Sequence, residues 1–103
     1  MIYKFRSKAA GDLVMLGPNG DQMLQLIGKQ PGPKGIIEPA QMPAAIAALE
    51  KAVADEEAAR AQAEADGAPP RRDGSVSLKQ RAWPLIEMLR RAQAADKEIV
   101  WGV

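Results

Sequence analysis

The stretch VMLGPNGDQMLQLIGK, residues 14–29, decides between two folds. An apolar run, a glycine turn and a helical pattern together have the outline of a phosphate-binding loop, the mark of a parallel nucleotide-binding sheet. That loop reads G-x-x-x-x-G-K-[ST], because its lysine and hydroxyl must reach phosphate and magnesium. Counted from Gly17, the required places hold Gln22, Met23 and Leu24; counted from Gly20, the second glycine place holds Gln25. Every group that touches phosphate is missing. The same residues make sense as a strand handing over to a capped helix. Asn19 is a good N-cap, Gln22 stands at the capping-box position and Asp21 suits the field of the helix N-terminus. Met23, Leu24 and Ile27 form an apolar stripe, and Gly28 stops it. The spacing predicts a helix over 20–28.

Working outward, IYKFRSK alternates with period two. Tyr3, Phe5 and Ser7 share one face, and Lys4, Arg6 and Lys8 share the other. With the turn AAGD and the run LVML it predicts a hairpin of strands 2–8 and 12–16. KQPGPKG is too rich in proline and glycine for regular structure, and Ile36-Ile37 suits a brief strand. Met42, Ile46, Leu49 and Val53 mark one face of a long helix over 40–66, its regular part opening at Pro43 after a tighter turn. Beyond Val53 that face is alanine only, so this half is expected to project from the core or to meet a partner. GAPPRRDGS is a flexible connector over 67–76. Ser77 then caps a helix over 78–95 whose apolar face runs Leu78, Ala82, Leu85, Ile86, Leu89 and Ala92, with a bend at Pro84. KEIVWGV closes the chain as a strand over 98–102, suited to pair with the hairpin. The fold class is α+β, a small antiparallel sheet packed on one face by three helices, the two long ones antiparallel.

The 103 residues suit one domain, 1–103, with a lean aliphatic core, since only one Phe, one Tyr and two Trp are present. Without cysteine no disulfide forms, and without cysteine or histidine a zinc site has almost no ligands. No continuous apolar run follows the basic N-terminus, so the chain reads as cytoplasmic, with no membrane segment. Net charge is +1. An excess of acidic residues over 38–68 lies between two basic flanks, a pattern for pairing within the chain or for acidic-on-basic self-association.

Catalysis finds little to work with. Ser7, Ser75 and Ser77 lack a histidine base, and Lys79 beside Ser77 faces away from it on a helix. The expectation is a non-enzyme with no catalytic residue, cofactor or metal. The leading reading is a protein–protein interaction or regulatory module, a homodimer or the companion of an unidentified protein. Its interface candidates are the large anchors Trp83 and Trp101 and the carboxylates Glu50 and Glu57. The alternative is an anion, nucleotide or nucleic-acid binder using Lys4 and Arg6 on the sheet with Lys29 and Lys34 in the 28–35 loop. Arg71, Arg72, Lys79, Arg81, Arg90 and Arg91 could extend that basic strip. Tyr3 and Phe5 point away from it, so it lacks stacking aromatics.

The segments MIYKFRSKAAGDLVML, PGPKGIIEPAQMPAAIAALE, SLKQRAWPLIEMLRRA and KEIVWGV together resemble a family of small proteobacterial proteins, the domain of unknown function number 1840. The resemblance covers nearly the whole chain, with residues 57–75 as its variable part. It implies a single-domain bacterial protein and carries over no activity, ligand or site residue.

Overall fold

The structure, a computed structural model, describes residues 2–67 and 78–102. In chain order it contains β1 (Ile2–Ser7), β2 (Ala10–Leu16), α1 (Gly17–Leu26), β3 (Gly35–Ile37), a 3-10 turn (Pro39–Gln41), α2 (Met42–Ala65), α3 (Leu78–Ala94) and β4 (Ile99–Trp101). The strands form one antiparallel sheet in the order β2-β1-β4-β3. The α+β class holds, and the sheet gains a strand over the hairpin and C-terminal strand. The brief strand at Ile36-Ile37 pairs with β4, Ile36 opposite Val100 and Ile37 opposite Ile99. The connector expected over 67–76 falls outside the described residues except for Gly67, as do the Ser77 cap, Arg71 and Arg72.

Several boundaries move. β2 starts at Ala10 rather than at 12, because the turn is tightened by the Ser7 hydroxyl, which accepts the Ala9 N–H at 3.2 Å. α1 starts at Gly17 rather than Gly20 and ends at Leu26. Leu16, still extended, serves as N-cap with no side-chain hydrogen bond, and Pro18 in the first turn supplies a helical φ in advance. Asn19 is therefore no cap; it lies inside the helix and its Oδ1 accepts a bond from Arg81 Nη1 at 3.3 Å, tying α1 to α3. The capping box does occur, but at the 3-10 turn, where Glu38 and Gln41 bond each other's backbone reciprocally before α2 begins at Met42. β4 is shorter than 98–102, Ile99–Trp101, and α3 runs unbroken through Pro84.

α1 and α3 stop in the same way. At α1, Lys29 N–H reaches the Leu24 carbonyl at 2.8 Å around a left-handed Gly28, φ 82°. At α3, Lys97 N–H reaches Ala92 at 2.9 Å around Asp96, φ 56°, the one non-glycine residue with positive φ among those described. A side chain is strained there. Asp96→Gly is expected to raise the unfolding free energy by about 0.5–1 kcal/mol, read from urea denaturation.

The core lies between the inner face of the sheet and the three helices. Tyr3 stacks on Phe5 with ring centroids 5.8 Å apart, and Phe5 meets the edge of Trp101 at 5.7 Å. These aromatic rings cover the sheet, and backbone comes close enough to two of them that only glycine fits. A Cβ on Gly20 would lie 2.1 Å from the Tyr3 ring, and one on Gly35 would lie 2.2 Å from that of Trp101. Gly20, which made the opening stretch look like a phosphate loop, is there for the approach of α1 to Tyr3.

The Tyr3 hydroxyl donates to Asp21 Oδ1. Burial first, then this bond and the Asp21 charge, hold the phenol above its ordinary pKa, and the Gly32 backbone offsets part of the rise. A group whose folded pKa is raised stabilises fully below its unfolded value and less as pH climbs through the folded one. The protein is therefore expected to lose stability above about pH 10. In Tyr3→Phe this part of the alkaline loss is absent, a difference visible in paired denaturation curves.

The outer face of the sheet carries no helix among the described residues. Ile2, Lys4 and Arg6 of β1, Asp12, Val14 and Leu16 of β2, and Ile36 of β3 are exposed on it.

Candidate functional site

α2 and α3 lie antiparallel. The Leu78 N–H at the start of α3 bonds Glu56 Oε1 in the second half of α2, and the later turns of α3 run back toward the helix start. α3 buries the stripe Leu78, Ala82, Leu85, Ile86 and Leu89. α2 answers it with Met42, Ala45 and Leu49, after which its facing positions are half-buried Val53 and then alanine and glutamate. Ala54 is too short to cover an indole. Trp83, just off the stripe of α3, is therefore left 49% exposed.

Around it the two helices form an open groove of about 220 Å³ lined by Val53, Ala54, Ile86, Trp83, Glu50 and Glu57, with Lys79 at one end. Ion pairs bracket the ring. Arg90 Nη2 bonds Glu50 Oε1 at 2.8 Å, Arg90 Nη1 lies 3.4 Å from Glu87, and Lys79 Nζ lies 3.9 Å from Glu57. The Arg90 guanidinium stands over the indole, 5.8 Å from its centroid. Exposed pairs of this kind add little stability; what they do here is set the Arg90 guanidinium, paired with Glu50, over the ring. The acidic α2 and basic α3 are thus used on one another within the chain.

Of the four interface candidates, the structure brings together Trp83, Glu50 and Glu57 and removes Trp101. Trp101 is 3% exposed, packs on Phe5 and donates its Nε1–H to the Gly32 carbonyl at 3.1 Å. Its place in the core follows from β4 lying inside the sheet rather than at an edge. Arg90 was legible only as part of a diffuse basic strip; the signal that ties it to the site is its position two turns after Trp83 on one helix face.

The four cations of the anion-binding alternative do not converge. Lys4 and Arg6 stand on the outer sheet face, where Asp12 lies 3.5 Å from the first and 4.0 Å from the second. Arg6 lines a shallow hollow with Lys8, Asp12 and Glu98, whereas Lys29 lines a different one beside Ile37 and Gln41. Lys34 precedes β3 at the far edge of the sheet. Among the described residues no group of three acidic side chains is gathered for a metal ion, and no helix is long and apolar enough to cross a membrane.

A family model described as domain of unknown function (DUF1840) matches residues 1–101. Neither a curated protein nor a solved structure matches the chain.

Proposed function

The chain belongs to the DUF1840 family, domains of unknown function, and from that premise we propose that it is a non-enzymatic protein–protein interaction module that docks its partner in the Trp83 groove. The observation that carries this reading is a tryptophan held in place at the surface, half exposed between ion pairs rather than buried in a core that has few aromatics. Tryptophan and arginine, flanked by small apolar walls, are what binding hot spots are made of. The groove between two antiparallel helices fits a partner helix that offers one apolar anchor and charges of both signs. A chain without cysteine suits a cytoplasmic setting.

Trp83→Ala tests the reading. The indole contributes little to the core, so the variant is expected to unfold within about 1 kcal/mol of wild type. Used as bait in native extract, wild type should retain a partner that Trp83→Ala does not. Equal capture by both baits would remove the groove as the docking site. Anion or nucleic-acid binding through Lys4 and Arg6 is the weaker reading, because Asp12 already neutralises part of that strip.

A further inference from the structure

The two edges of the sheet are built differently. β3 is three residues long, and Pro33 before it and Pro39 after it cannot donate to a ladder, so this edge ends itself. β2 is seven residues long and contains no proline, lysine or arginine, the usual devices that keep an edge from pairing. Among the described residues no strand pairs with its outer side. The irregularity in its pairing with β1 lies at the other end, between Phe5 and Ser7, so Leu13–Leu16 is regular ladder. This half of the edge is also apolar on its outer face. Val14 is 58% exposed and Leu16 65%, and Ile2, directly opposite Leu16, is 63% exposed.

We propose that β2 is a pairing strand and that its occupant is β2 of a second copy of this chain, added antiparallel about a two-fold axis to make one continuous eight-stranded sheet. An edge strand offers a row of backbone donors and acceptors that only another strand satisfies, and a two-fold gives two identical strands the antiparallel sense automatically. Electrostatics permits it. The only charge on β2, Asp12, is held by Lys4 and Arg6 of its own sheet, so two edges meet without an unpaired charge at the seam. Val14 of one copy then lies beside Leu16 of the other across the axis, so the exposed aliphatic side chains of the two edges shield one another in part. The Trp83 groove, on the helical layer, stays open in this dimer.

Sedimentation of the full chain across a concentration series tests the arrangement. Wild type is expected to move from 11.0 kDa to twice that mass as concentration rises toward roughly 100 μM. Val14→Lys and Leu16→Lys, each at an exposed position that spares the core, should weaken association by about tenfold or more with unchanged circular dichroism. Trp83→Ala should dimerise as wild type does, so loss of partner capture and loss of the dimer separate the two surfaces. Hydrogen exchange on wild type gives a readout that needs no variant: amides of Leu13–Leu16 should gain protection with concentration. A wild type that stays monomeric throughout, or a dimer that survives both lysine variants and falls to Trp83→Ala, would overturn the proposal.

Discussion

Trp101→Ala is expected to lower the unfolding free energy by about 3–5 kcal/mol, the largest effect of any single change considered. The indole is buried against Phe5, its N–H holds the Gly32 carbonyl, and its ring lies on the bare backbone of Gly35. Alanine removes all three contacts and leaves a cavity in a small core that has few large side chains to refill it. The loss also frees β4, which lies between β1 and β3, so two of the three pairings of the sheet weaken together. Domains of this size have roughly 5–15 kcal/mol in total, and the variant should approach the edge of folding at 37 °C. Urea denaturation measures it. A loss below about 1 kcal/mol would mean the tryptophan is not a core residue.

Gly20→Ala is expected to cost about 1–3 kcal/mol, although alanine is the better helix former. Its methyl would stand 2.1 Å from the Tyr3 ring. Either α1 lifts from the sheet or the ring turns, and turning breaks the bond to Asp21. Gly11→Ala, with nothing within 4 Å of the added carbon, is the matched control and should be close to neutral. Equal stability of the two variants would show that the approach of α1 to Tyr3 is not tight. The pair measures directly what Gly20 of the opening stretch is for.

The alternation of Tyr3 and Phe5 against Lys4 and Arg6 needed no tertiary information to be read as a strand with an inner and an outer face, and both faces are as expected. The same holds for the apolar stripes of α2 and α3 and for the alanine half of α2, exposed from Glu57 onward. Asn19 failed because a capping-box spacing is local chemistry. The residues before it, Gly17 and Pro18, could already adopt helical backbone, and the side chain found Arg81, 62 positions away. β3 was faint because three residues carry no periodicity; it exists through β4. The site was half legible. Trp83, Glu50 and Glu57 stood out as residue types, but their convergence depends on the antiparallel docking of two helices. The aliphatic edge of β2 went unread as a surface, since Val14 and Leu16 lie in an apolar run that looks the same whether one face or both are buried.

The strand order has a consequence in time. β1 and β2 are neighbours in the chain and zip through a short turn, fast on any folding timescale. β3 is made soon afterwards but has nothing to pair with. Its place in the sheet, against β4, exists only once β4 has docked on β1, and β4 stands beyond both long helices. Closing that loop is the late step, because it carries the largest closure entropy of any pairing in the sheet. Until Ile99–Trp101 arrives, the hairpin presents an open edge on each side. The nascent chain is most exposed to wrong partners in that interval; the last strand closes the β1 side of the hairpin and leaves the outer edge of β2 as it was.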